Sequence, residues 1–271
     1  MIDAYLDESG VHDGAAMCVI AGYFGGKGQF RKFERDWNKV LSKFRFKIED
    51  FHATELLKTH DYEQMLKALA GTIALHGKIH PVSFGIVVAD FNSFSLAQRR
   101  FFTGATLSKG KLVTTGCPNK PYFVPFQLCM KSVTDYAPVG GRADFFFGLD
   151  RPFAGYAKEL FKQVKSRSRE DSDWKTKDRL GEPSFPLASQ TPQLQAADLL
   201  VHLTYHHMLE RHEAQDWKVQ PSGLLRHCLR NLRSRDDHAF QSKECLAQTL
   251  ELLRKAAGAE WMDELGQPPG N

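Results

Sequence analysis

Three aspartates far apart in this chain sit where an apolar run ends or where a helix is strongly apolar. Asp7, with its neighbour Glu8, closes the run Ala4-Tyr-Leu6. Asp150 closes Ala143-Asp-Phe-Phe-Phe-Gly-Leu149. Asp198 lies inside Gln195-Ala-Ala-Asp-Leu-Leu-Val201. Carboxylates carried by separate structural elements are what a fold needs to assemble a divalent-metal site. Mg²⁺ and Mn²⁺ prefer hard oxygen ligands, usually a few carboxylates completed by water and by a substrate's phosphate oxygens. Two such ions about 3.5–4 Å apart activate water and stabilise the leaving oxygen of an in-line displacement. The chemistry implied is phosphodiester hydrolysis. Glu55, in His52-Ala-Thr-Glu55, is a fourth carboxylate candidate. His52 would orient a ligand, contact a phosphate or move a proton.

The neighbours constrain these roles. Successive residues of a strand point to opposite faces, so only one of Asp7 and Glu8 enters a site unless the strand bends. Asp198 is flanked by Ala196, Ala197, Leu199 and Leu200. A buried charge there needs a partner, a metal or a shifted pKa. His202, His206 and His207 follow it, but no cysteine accompanies them and no HExxH is present, which argues against zinc.

The elements that must position these residues follow from periodicity. Residues 2–8 and 15–24 form two strands joined by a short polar turn, a hairpin. Apolar residues at helical spacing mark helices over 29–43 and 61–76. Residues 82–89 form a third strand. Residues 93–120, polar and rich in Gly, Ser and Thr, form an inserted loop with some helix. A helix follows at 121–136, a fourth strand at 142–149, a helix at 153–164 and a short strand at 184–188. Thr191-Pro192 opens a helix running to 210 as N-cap and first position. The segment 222–264 is helical, and Gly-Gln-Pro-Pro-Gly-Asn at 266–271 is disordered. This order predicts an α/β fold, a mixed sheet with helices on its faces. It divides into a domain over 1–210 and a helical C-terminal extension over 211–271.

Four segments, Tyr5-Leu-Asp-Glu-Ser-Gly10, Phe51-His-Ala-Thr-Glu-Leu56, Phe146-Phe-Gly-Leu-Asp150 and Gln195-Ala-Ala-Asp-Leu-Leu200, resemble in that order the motifs of the domain of unknown function 3800 family. The resemblance spans roughly residues 2 to 210. It implies a ribonuclease-H-like mixed sheet and an acidic site, but no substrate. It selects Asp7 over Glu8. Where the family's third motif places another acid after the strand aspartate, this chain has Arg151-Pro152, which leaves Asp150 available. The expected metal set is Asp7, Asp150 and Asp198, with Asp7 bridging and Mg²⁺ or Mn²⁺ as the cofactor.

Lys158, Lys162 and Lys165 recur on one helical face, and Arg226, Arg230 and Arg233 make a second stripe. Both suit a phosphate backbone. With a net charge of +4, the chain permits a polyanionic partner without requiring one. The favoured expectation is a divalent-metal-dependent nuclease. The rivals are a nucleic-acid or protein-binding module without turnover, and a hydrolase of small phosphate esters on the same site. Five cysteines without regular spacing fit a reducing, cytoplasmic setting. No run of about 18–20 apolar residues occurs, so no membrane span is expected.

Overall fold

The computed structural model describes residues 1–12, 14–104, 106–108, 111–113, 119–148, 151–166, 176–216 and 218–257. The elements in chain order are β1 (Ile2–Ser9), β2 (Met17–Gly26), α1 (Lys27–Lys43), α2 (Ala53–Leu56), α3 (Glu63–Leu75), β3 (Ile79–Val87), α4 (Val88–Ser93), α5 (Leu96–Phe102), β4 (Thr106–Ser108), β5 (Lys111–Val113), α6 (Phe123–Tyr136), β6 (Ala143–Phe147), α7 (Arg151–Ser166), β7 (Leu180–Ser184), α8 (Pro192–Glu213), α9 (Gly223–Cys228), β8 (His238–Gln241) and α10 (Lys243–Ala257).

Six strands form one mixed sheet in the order β7-β6-β1-β2-β3-β8. β1, β2 and β3 pair antiparallel. β6 lies parallel to β1, β7 parallel to β6, and β8 parallel to β3. The hairpin between β1 and β2 turns at Gly10, whose φ is +74° and where a Cβ would meet the Met17 carbonyl oxygen at 2.0 Å. Only glycine satisfies both demands.

Alternation along the strands divides the core between the two faces. Ile2, Ala4, Leu6, Cys18, Ile20 and Phe24 pack against α6, α7 and α10. Tyr5, Met17, Val19, Ala21 and Tyr23 pack against α1, α3, α8 and α9. α1 meets its face through Phe30, Phe33, Trp37 and Leu41, a 3–4 residue spacing that places them on one stripe. The architecture is therefore α/β, a mixed sheet flanked by helices on both faces.

The inserted region carries α5 and the β4-β5 hairpin. Two strands differ from the sequence expectation. The strand expected over 184–188 lies earlier, at β7, and Ala188–Gln190 is a 3-10 turn. Gly181 and Pro183 disguise this strand, and both are tolerated because β7 is at the sheet edge. The segment after 210 supplies helices α9 and α10 but also β8, which extends the main sheet. The disordered end expected at 266–271 lies outside the described residues. No helix among the described residues is long and apolar enough to cross a membrane.

Candidate functional site

Odd-numbered residues of β1 face α8. Tyr5 joins that core, and Asp7, two residues on, comes under the charge of Asp198. Glu8 turns to the opposite face, where its charge acts on Cys18 and Tyr122. Asp7 is half-buried. Burial pushes its carboxyl well above the usual carboxylate range, and the charges of Glu8 and Asp198 push the same way, against a backbone bond from Glu8. The end of β6 closes over it. A Cβ on Gly148 would stand 2.8 Å from Asp7 Oδ1. A side chain there would force the Asp7 carboxylate to shift.

Asp198 arrives from the second turn of α8. The Ala53 N–H donates to its Oδ2 at 2.8 Å, and His52 Nδ1 stands 3.8 Å from the same oxygen. The Asp198 side chain is 19% exposed and that of His52 67%. Burial raises the Asp198 carboxyl, and the Ala53 bond and His52 oppose that shift. One helical turn earlier, Gln195 accepts from Trp37 Nε1 at 3.0 Å and donates to the Ile48 carbonyl at 2.7 Å. One turn later, His202 Nδ1 shares a 3.2 Å hydrogen bond with Thr54 Oγ1. Three successive turns of α8 thus grip the segment 48–54, and the grip presents His52 beside Asp198. Burial holds the His202 imidazole down at about 4, helped by His206, His52 and Lys58, so it is neutral at pH 7. His206 packs edge-on to it, with ring centroids 4.6 Å apart.

The donor chemistry fits a hard divalent cation. Asp7 and Asp198, on separate elements, are both poorly solvated, and burial raises each carboxyl above its ordinary range. A cation there would relieve both. Among the described residues no group of three or more His, Cys, Asp or Glu is gathered as a complete cage. Mg²⁺ commonly takes only one or two carboxylates and keeps water and substrate phosphates for the rest. Asp150, the expected third ligand, lies outside the described residues.

Glu55 is not brought to this pair. α2 buries Ala53 and Leu56, which turns Glu55 outward into a 2.9 Å ion pair with Lys58. That cation holds its carboxyl below the usual range. Sequence reasoning missed Gly148, the Ala53 N–H and Thr54. Gly148 carried a signal, a glycine two residues before an aspartate at a strand end. A backbone N–H carries none.

The basic residues form separate patches rather than one track. Lys158, Lys162 and Lys165 line a cleft between α7 and β7 of about 620 Å³ together with Glu182, and Lys165 is ion-paired to Glu182. Arg226 and Arg230 line another cleft, of about 820 Å³, with His227. Arg233 leaves that stripe and stacks 4.4 Å from the Tyr136 ring centroid. The helix expected to carry all three ends at Cys228. Comparison of the chain with protein-family models, with curated proteins and with solved structures found no match.

Proposed function

We propose that this chain is a divalent-metal-dependent nuclease that hydrolyses nucleic-acid phosphodiester bonds at Asp7 and Asp198. The carrying observation is the pair itself. Two acids 191 positions apart in sequence, on β1 and α8, are close enough that the charge of Asp198 adds to burial and to the Glu8 charge in raising the Asp7 carboxyl. We also propose a ribonuclease-H-like core and membership of the domain of unknown function 3800 family. The antiparallel β1-β2-β3 unit, extended by parallel β6 and β7 on the β1 side, supports this.

Asp7 and Asp198 would hold Mg²⁺ or Mn²⁺, with Asp150 as the third ligand. When bound, the metal would supply an activated water and a counter-charge for the leaving oxygen. The remaining work falls to the chain. Ala53 fixes Oδ2 of Asp198, and Oδ1 carries no hydrogen bond among the described residues. Gly148 leaves Asp7 the room its carboxylate needs. His52, exposed beside Asp198, is placed to hold a phosphate oxygen or to deliver a proton to the departing oxygen, which leaves as a hydroxyl.

The test is Mn²⁺ calorimetry alongside cleavage of labelled DNA and RNA, comparing wild type with Asp7→Asn and Asp198→Asn. The expected result is loss of both metal binding and cleavage in variants that stay folded. Cleavage unchanged in both folded variants would overturn the proposal.

A further inference from the structure

The cleft of about 820 Å³ beside α9 has the size of a small-molecule site, about 300–1,000 Å³. Arg226, His227 and Arg230 line it with Gln220, and no acid does so among the described residues. Neither arginine forms an ion pair among the described residues. The other basic cleft differs, since Glu182 lines it and pairs with Lys165. Two uncompensated guanidiniums in one concave space set up a field that a single anion would relieve.

The backbone that carries them is held on both sides. Leu225, Cys228 and Leu229 are buried in the core shared with α3 and α8. The Tyr23 hydroxyl donates to the Cys228 carbonyl at 3.4 Å. Just past Arg230, the Asn231 amide donates to the carbonyls of Ile73 and His76, each at 3.2 Å, at the end of α3. The Asn231 carbonyl meets His80 Nδ1 at 3.1 Å. The helical turn runs on past α9, because the Leu229 N–H donates to the Leu225 carbonyl at 2.9 Å and the Arg230 N–H to that of His227 at 3.2 Å. Arg226 and Arg230 therefore stand one turn apart on a fixed backbone, where residues four apart are neighbours. Pro221 and Leu229 add an apolar wall.

We propose that this cleft binds a small phosphomonoester, with the phosphate held between Arg226 and Arg230 and the organic part against Pro221 and Leu229. The planar guanidinium fork donates paired hydrogen bonds to phosphate oxygens. Charge selects the ester. A monoester carries about −1.5 to −2 at pH 7, whereas each diester of a nucleic-acid backbone carries a single negative charge. Two arginines with no acid beside them match the dianion. Arg233, which would extend the stripe, stacks on Tyr136 instead. The pair is therefore a pocket for one phosphate and not a track for a chain of them. Nothing in this site draws on Asp7 or Asp198.

The test is calorimetry on the full chain with a chelator present, so that no metal at the acid pair can hold phosphate. The probes are phenyl phosphate and methyl phenyl phosphate, which keeps the ring and carries one charge fewer. Wild type is compared with Arg226→Gln and Arg230→Gln, and with Lys162→Gln, which removes the same charge from the cleft beside α7. Phenyl phosphate is expected to bind at one saturable site, and its methyl ester about tenfold more weakly. Arg226→Gln and Arg230→Gln are each expected to weaken phenyl phosphate binding about tenfold, the worth of one charge-assisted pair. Lys162→Gln is expected to change nothing. Both arginines are exposed, so their variants keep the wild-type melting temperature. No saturable binding of phenyl phosphate by wild type, equal binding of the two esters, or the same loss in Lys162→Gln as in the arginine variants would overturn the proposal. Each of those outcomes leaves the nuclease reading standing, since Asp7→Asn and Asp198→Asn test it separately.

Discussion

At the scale of single residues, the site depends as much on what is small as on what is charged. Asp7 and Asp198 were legible because an acid within an apolar run needs a reason to be there. The residues that hold them were not, because they act through a missing Cβ and a backbone N–H. Gly148 gives the sharper test. In Gly148→Ala the new methyl would stand 2.8 Å from Asp7 Oδ1, and the strand behind it leaves the carboxylate as the group that moves. The expected outcome is a loss of Mn²⁺ affinity and cleavage approaching that of Asp7→Asn, with the melting temperature lowered only modestly. Calorimetry and a thermal melt on one preparation check both. Wild-type metal affinity in Gly148→Ala would show that Asp7 does not need its present position. Glu55 gives the opposite expectation. Its carboxylate is spent on an exposed pair with Lys58, so Glu55→Gln should keep cleavage within about twofold and leave the melting temperature essentially unchanged. A larger loss of cleavage would bring Glu55 back into the site.

At the scale of elements, period decided what could be read. β1, β2 and β3 are apolar or alternating, and α1 repeats its large side chains every three or four residues, so each stands out in the sequence. β8 does not. His-Ala-Phe-Gln is short, half-buried along its length and lacks alternation. It is a strand because β3 offers it an edge and because His238 is held. Ser83 Oγ bonds His238 Nδ1 at 2.5 Å, and the His207 ring lies nearly parallel at 6.1 Å. Burial, then His207 and Arg211, pushes the His238 imidazole down to about 4. The unfolded chain therefore takes up a proton near pH 6.5 that the folded chain refuses until about pH 4. Stability is full above pH 6.5 and falls as the pH drops through that window. The total is about 3 kcal/mol, most of it between pH 7 and 5. Urea midpoints at pH 7 and pH 5 should show the fall in wild type and a smaller one in His238→Asn. Equal falls would place the pH sensitivity elsewhere, His202 being the next group.

At the scale of the whole molecule, the boundary expected at 210 marks where the recognisable motifs end, and packing continues past it. Leu225, Cys228 and Leu229 enter the core on the α8 face. Leu246 and Leu250 enter the core on the opposite face. β8 adds its hydrogen bonds to β3 between them. A motif search sees none of this, since scattered leucines and a four-residue strand have no order of their own. Each buried leucine lost costs about 2–5 kcal/mol. Four of them together match the entire stability of a typical domain, about 5–15 kcal/mol. A chain ending at residue 210 would also leave β3 as a bare edge and expose two apolar surfaces. It should lose its cooperative unfolding transition and aggregate, as seen by calorimetric melting and light scattering. Asp7 and Asp198 would lose their arrangement along with it, although no hydrogen bond or ion pair joins either to that segment among the described residues. A truncated chain that melts like the full one would instead make 211–271 an appendage, and the acidic pair a property of the first 210 residues alone.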